Sequence, residues 1–189
     1  QVRAERFVAE AGLAMIPPFD HPDVIAGQGT AGLEILEQVP DVATVLVPVG
    51  GGGLLSGITA AIKALRPEVE IIGVEPAGAP KLSRALERGK PVTLGPTESL
   101  ADGLLTRSVG ALPWAVIQPH VHRAITVTDD EIGAAVRWLF QHQGLRVEPS
   151  GAVTMPAVLA GRIATPSPTV LVLSGGNVDP EVFARLVGP

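Results

Sequence analysis

Apolar residues in this chain fall into short unbroken runs, and between them into stretches of helical period. ATVLVPV (43–49), VEIIGVE (69–75) and TVLVLS (169–174) are near-continuous Val/Ile/Leu runs. Runs of this kind predict strands buried on both faces, as in a parallel sheet. HRAITV (122–127) predicts a further strand, and LAMI (13–16) a short one broken by Pro17 and Pro18. The helical period predicts a first helix over 1–11, with Val2, Phe7 and Val8 on one face, Arg3, Glu5, Arg6 and Glu10 off it, and Gly12 as its stop. FDHPDVIAGQG reads as a loop, with Thr30 capping a helix over about 31–39 that ends before Pro40. Further helices are predicted over 54–65 and 80–88, followed by a long Gly/Pro/Ser/Thr-rich loop over 89–110. Thr128 and Glu131 form a capping box for a helix over about 129–143, and Ser150 caps one over about 151–161. Asp179 and Pro180 start the last helix as N-cap and N1.

Strands alternating with helices predict an α/β fold, a mostly parallel open sheet with helices on both faces. Ligands of such sheets bind at the carboxyl ends of the strands. Two glycine motifs fall at that edge, GGGG after 43–49 and SGGN after 169–174. Composition narrows the function. The chain has 189 residues and no cysteine. It therefore has no disulfide, thiolate zinc site or cysteine nucleophile, and a reducing cytoplasm is the expected location. Fourteen basic against 19 acidic residues leave a net charge of −5, and no Lys/Arg run predicts a nucleic-acid or membrane surface. No apolar stretch is long enough for a membrane span. The amino terminus is charged from its first turn, without the apolar core of a signal peptide and without an initiator Met. The expectation is a chain that starts partway through a longer one.

The stretch VLVPVGGGGLLSG (45–57) carries the clearest chemistry. Each glycine weakens a helix or strand by roughly 0.5–1 kcal/mol, so four in a row need a reason. A strand, then glycines, then a helix start lets successive N–H groups turn toward one point, where the helix dipole also favours an anion. The pattern expects a phosphate. It is no P-loop, since no Gly-Lys-Ser/Thr follows. It comes close to a dinucleotide fingerprint, because Gly51-x-Gly53-x-x-Ser56 lacks only the last glycine and Glu75 stands at a ribose-binding distance.

Four further segments occur with it: AGQGT (26–30), ADGL (101–104), EPSGA (148–152) and LSGGN (173–177). Together with PVGGGGLLSG they resemble the fold type II enzymes of pyridoxal phosphate (PLP), in the branch of threonine dehydratases and serine racemases. The resemblance runs from about residue 2 to residue 187. A dinucleotide-binding domain explains only the glycines and Glu75.

The resemblance implies a role for each matching residue. Gly50, Gly51, Gly52, Gly53 and the N–H of Leu54 bind the PLP phosphate. Ser174 hydrogen-bonds the pyridine nitrogen; a hydroxyl there, unlike a carboxylate, leaves the ring a weaker electron sink. A helix-capping role is the alternative for Ser174, and Asn177 serves the turn. Gly103 lies beside the cofactor ring, with Asp102 organising its loop. Glu148 either tunes proton transfer or holds the loop before Pro149. Glu75 and the carbonyl of Ala79 match two ligands of a divalent-cation site, but Lys81 stands where the third carboxylate belongs. An ammonium repels a cation, so Lys81 is expected to replace the metal charge and pair with Glu75. His120 and His122 read as surface or packing residues, Trp114 and Trp138 as core or interface, and Ser56 as packing.

The lysine that carries PLP covalently lies, by the resemblance, in an S-x-K-x-R-G-type segment near the amino terminus of the whole enzyme. Lys63, Lys81 and Lys90 have no such neighbours. The expected domains are residues 1–12 as the last helix of a small domain and 13–189 as the PLP-anchoring domain without its Lys-bearing segment. The implied activity is elimination of water and ammonia from threonine or serine, giving a 2-oxo acid. Alternatives are a racemase or hydroxyaspartate lyase of the same family, a silent phosphate- or PLP-binding fragment, and a nucleotide-binding domain. An end at Pro189, soon after SGGN, favours a short enzyme of threonine catabolism over a feedback-regulated one of isoleucine biosynthesis. The expected partners are an amino-acid substrate and either a second copy or the missing amino-terminal portion.

Overall fold

The computed structural model describes residues 2–164 and 168–188; residue 1 of the expected first helix lies outside them. Four strands, β1 (Thr44–Pro48), β2 (Glu70–Pro76), β3 (Arg123–Val127) and β4 (Thr169–Leu171), form one sheet in the order β3-β2-β1-β4. Every pairing is parallel, with Thr44 opposite both Glu70 and Thr169. The chain winds outward from β1 to β2 to β3, then returns to place β4 on the other side of β1.

Alternation along β1 assigns its side chains to two cores. Val45 and Val47 face a cluster with Leu55, Ile58, Ile62 and Ile117. Leu46 faces the other side, with Ile72, Val74, Ile125, Ile132 and Val153. The first core belongs to α3 (Gly53–Leu65), α4 (Lys81–Arg88) and α5 (Ala111–Ile117). The second belongs to α6 (Asp129–Gln143), α7 (Pro149–Ala152) and α8 (Met155–Leu159). Both faces are therefore covered, as unbroken apolar strands require. A third cluster joins α6 to α9 (Pro180–Val187) through Leu139, Phe183 and Val187. Trp114 is buried in the first core, and Trp138 packs on the third cluster, where His142 stacks on it. Among the described residues no helix is long and apolar enough to cross a membrane.

The termini of several helices form as their residues dictate. The Thr128–Glu131 capping box closes reciprocally, and the Asp179 side chain accepts from the N–H groups of Glu181 and Val182. Other elements differ from expectation. LAMI is no strand: residues 13–17 follow α1 (Val2–Ala11) without regular structure, and Ile16 is 82% exposed. α2 spans Pro22–Gln38, so it starts well before residue 31. His21 is its N-cap, accepting from the N–H of Asp23, while Thr30 sits mid-helix and donates to the Gly27 carbonyl. Gly29, in the stretch that reads as loop, faces α3, as does Gly32: β-carbons on them would come within 3.2 Å of the Gly57 carbonyl and 3.0 Å of the Ile58 carbonyl. α5 was not foreseen. The helix expected over 151–161 is two short ones, with Glu148 at the first N-cap, Pro149 at N1 and Ser150 inside the turn.

Asp20 ties the loop before α2 to α5. Its two carboxylate oxygens accept from the N–H groups of Ala111 and Leu112, each at 2.9 Å. This cap comes from a residue far away in sequence, and it fixes Phe19 beside it. Replacing a capping carboxylate by alanine costs about 0.5–2 kcal/mol. Asp20→Ala should lower the stability measured by urea unfolding by about that amount. An unchanged midpoint would show that the cap contributes nothing.

Candidate active site

The turn from β1 into α3 is built from Gly50, Gly51, Gly52 and Gly53. Gly52 has φ +94°, a conformation that a side chain resists. Phe19 lies across the turn: a β-carbon on Gly51 would fall inside its ring, and one on Gly53 would sit 2.9 Å from its Cβ. Gly51, Gly52 and Gly53 are buried. None of the hydrogen bonds among the described residues uses the N–H groups of Gly50 to Leu54, the donors that a helix start leaves open. The Gly51 carbonyl accepts from the N–H of Gly110, which fixes the turn against the entry of α5. Ser56 closes the first turn of α3 by donating to the Gly53 carbonyl at 3.0 Å.

These glycines open onto a cavity of about 280 Å³. Gly50, Gly51, Gly52, Gly53, Leu54, Gly103 and Ser174 line it, together with Pro18, Phe19, Pro48, Leu104 and Thr106. Every expected cofactor-binding residue therefore borders one space. No Lys or Arg is among the lining residues. Ser174 follows β4, and α9 takes its cap from Asp179, so Ser174 does not cap that helix.

Gly103 lies in a short 3₁₀ turn, Asp102–Leu104. Its N–H donates to Ser150 Oγ and to Asp102 Oδ1, both at 2.9 Å. Asp102 thus organises this loop, and Ser150 ties it to α7. Glu148 does not line the cavity. Its backbone N–H donates to the Gly175 carbonyl, and its carboxylate lies so close to Gly175 that a β-carbon there would clash with it. It is placed against the loop that carries Ser174.

Behind Leu104 lies a buried ion pair. Lys81 and Glu75 are each 0% exposed, with Nζ 3.7 Å from Oε2. The ammonium donates to the carbonyls of Leu104 (2.8 Å) and Ala79 (3.1 Å). The Glu75 carboxylate accepts from the N–H groups of Leu82 and Ser83 and from Ser83 Oγ. Lys81 Nζ thus stands among the oxygens of the two expected cation ligands. Burial pushes its pKa down to about 8 from the usual 10.5, with Glu75 opposing the fall.

The other lysines are remote. Lys63 Nζ donates to the carbonyls of Pro67 and Val69, beyond the far end of α3, and Lys90 is exposed. His120 and His122 are exposed, and among the described residues no three His, Cys, Asp or Glu side chains gather as a metal site would need. Phe19, Ser150 and Thr106 were missed from the sequence. Phe19 had one signal, an aromatic after two prolines in a chain with 3% aromatics. Thr106 had none.

Comparison with known proteins fits this geometry. The chain is 44% identical to an L-threonine ammonia-lyase of Geobacter sulfurreducens over 94% of its own length and 44% of that protein's. It is 42% identical to human serine racemase, over 93% of this chain and 53% of the other. It therefore spans about half the length of these relatives. Its structure superposes on that of maize serine racemase with a TM-score of 0.90 at 36% identity, covering 97% of this chain and 57% of that one. Residues 1–175 match the PALP family of pyridoxal-phosphate dependent enzymes. The chain belongs to that family, and its relatives are the threonine dehydratases and serine racemases of fold type II.

Proposed function

We propose that this chain is the PLP-anchoring portion of an enzyme that eliminates water and ammonia from threonine or serine. The observation that carries the reading is one cavity bordered by Gly50 to Leu54, whose N–H groups have no partner among the described residues, and by Ser174 after the neighbouring strand. The turn suits the group because its N–H donors have no partner among the described residues, while β-carbons on Gly51 and Gly53 would collide with Phe19 and one on Gly52 would crowd Pro113, Val109 and Ile117. When bound, PLP withdraws electrons from the Cα of an amino acid. This chain's residues do the rest of the positioning. The glycine N–H groups and the start of α3 bind the phosphate. Ser174 meets the ring nitrogen with a neutral hydroxyl, which favours fast loss of a β-substituent over long-lived charge on the ring. Gly103 would border the ring on a loop held by Asp102 and Ser150, and Glu148 supports the loop of Ser174.

Residues 1–12 are read as the last helix of a small domain and 13–189 as the large one. The catalytic lysine comes from an amino-terminal portion, since Lys63, Lys81 and Lys90 do not border the cavity. That portion, or a second copy, also covers the outer side of β4 and the exposed Leu13, Ile16, Leu33 and Leu65. A cytoplasmic enzyme fits the absence of cysteine. Lys81 supplies the charge that a divalent cation would bring to Glu75 and Ala79.

The test is an assay of the full-length protein with L-threonine, L-serine and L-threo-3-hydroxyaspartate, following 2-oxo acid and D-serine. Oxo acid from threonine or serine is the expected result. D-serine as the main product selects the racemase, and oxo acid from hydroxyaspartate alone selects the lyase. The 189-residue chain by itself should give no product. Gly52→Val should raise the PLP dissociation constant about tenfold or more, because one charge-assisted hydrogen bond contributes about 1.5–3 kcal/mol. Unchanged PLP binding would remove the glycine turn from the site.

Lys81 gives a prediction with a definite sign. Its folded pKa of about 8 lies below the unfolded 10.5, so in that interval the unfolded chain holds more protons. Its contribution to stability therefore rises as pH climbs from 8 to 10.5. Urea unfolding should show wild type gaining on Lys81→Met across that window, and a constant difference would refute the depressed pKa. At neutral pH, Lys81→Met should be destabilised by about 3–5 kcal/mol, because it leaves Glu75 buried without its counter-charge. EDTA should change neither the activity nor the thermal midpoint of wild type.

A further inference from the structure

Two buried side-chain oxygens among the described residues have no hydrogen-bond partner, Thr59 Oγ1 and Thr106 Oγ1. A stranded hydroxyl is costly, and folded proteins keep few of them. The two lie in different places. Thr59 is fully buried on α3 and does not border the cavity. Thr106 is a wall residue of that cavity, with the glycine turn and Ser174.

The backbone around Thr106 is held on both sides. Leu104 and Leu105 offer their carbonyls to Lys81 Nζ and Thr97 Oγ1, each at 2.8 Å. Arg107 Nε donates to the Leu94 carbonyl at 2.7 Å. The segment is thus fixed by its neighbours, and the one residue of it that borders the cavity and carries a hydroxyl has that oxygen buried without a protein partner. No cationic side chain lines the cavity, so an anion there depends on N–H and O–H donors.

We propose that Thr106 Oγ1 binds ligand: it donates a hydrogen bond to an anionic oxygen of the molecule in this cavity. That oxygen belongs to the PLP phosphate or to the carboxylate of the amino acid beside it. The assignment rests on the reading of the glycine turn as the phosphate site, and the experiment separates the two.

Thr106→Val keeps the side-chain shape and removes the hydroxyl; Thr106→Ser keeps the hydroxyl. In the full-length protein, dissociation constants are measured for PLP, pyridoxal, inorganic phosphate and, with PLP bound, the non-eliminating amino acid L-alanine. If the phosphate is the partner, Thr106→Val weakens PLP and inorganic phosphate about tenfold and leaves pyridoxal unchanged. If the carboxylate is the partner, L-alanine weakens about tenfold and PLP does not. Thr106→Ser binds as wild type in either case. The thermal midpoint of PLP-free Thr106→Val is expected to equal or exceed that of wild type, since valine leaves no stranded hydroxyl; misfolding is thereby separated from lost binding. Wild-type affinity of Thr106→Val for all four molecules overturns the assignment while leaving the phosphate site standing. Failure of wild type itself to bind PLP or phosphate overturns the phosphate site and the assignment with it.

Discussion

The site depends on where winding reverses in the sheet. A parallel strand releases its chain at the carboxyl end, and successive crossovers on one side of a sheet crowd that end with connections. β1 escapes this because its neighbours lie on opposite sides in winding order, β2 reached next and β4 reached last. Between the exits of β1 and β4 the connections diverge and leave a crevice. The glycine turn leaves β1 there and Ser174 leaves β4 there, so two segments far apart in sequence share one cavity. The order β3-β2-β1-β4 is thus what makes the glycine turn and Ser174 neighbours.

The rest of the cavity wall must be held without blocking it. The 101–106 segment forms that wall and is not part of a long element. Its stiffness comes from polar anchors on its outer side: Ser150 and Asp102 on the Gly103 N–H, and Lys81 on the Leu104 carbonyl. A buried ammonium is costly in an apolar core unless several oxygens surround it. Lys81 has two carbonyls and the Glu75 carboxylate, and Glu75 is in turn bound by the start of α4. The pair therefore links β2, α4 and the cavity wall through charge in place of apolar contact, and does so from behind the wall, where no ligand reaches it.

How far the sequence reveals this fold follows from how local each cause is. β1, β2 and β4 were legible as near-continuous apolar runs, and β3, with the pattern RAITV and exposed Arg123 and Thr126, as a short strand at the sheet edge. The capping box at Thr128 and the cap at Asp179 were legible because donor and acceptor lie within a few residues. The start of α2 was misplaced because Gly27 and Gly29 each carry a helix penalty of about 1 kcal/mol relative to alanine. What offsets the penalty at Gly29 is the close approach of α3, which leaves no easy room for a β-carbon there or at Gly32. α5 was missed because its cap is Asp20, on a distant segment. LAMI has strand composition, but composition cannot supply a neighbouring strand. Within the site, the glycines and Ser174 were legible through their motifs, and Phe19 and Thr106 were not, since their roles arise only where the loops meet.

With no Lys or Arg in its wall, the cavity leaves only neutral donors to meet an anion. A lysine or arginine in its wall would hold an anion more simply. It would also place a fixed positive charge beside any group that must develop and lose charge during reaction. Backbone N–H groups at a helix start give a comparable pull spread over several dipoles, and they cannot titrate or swing away. Their use requires the backbone itself to approach the ligand, which only residues without a β-carbon allow. Gly52 at φ +94° and Phe19 packed on Gly51 and Gly53 are two further reasons why this turn takes glycine. One fixes the direction of the donors. The other covers the turn, so that an N–H there would meet an anion in a medium of lower dielectric than bulk solvent, where it would be worth more.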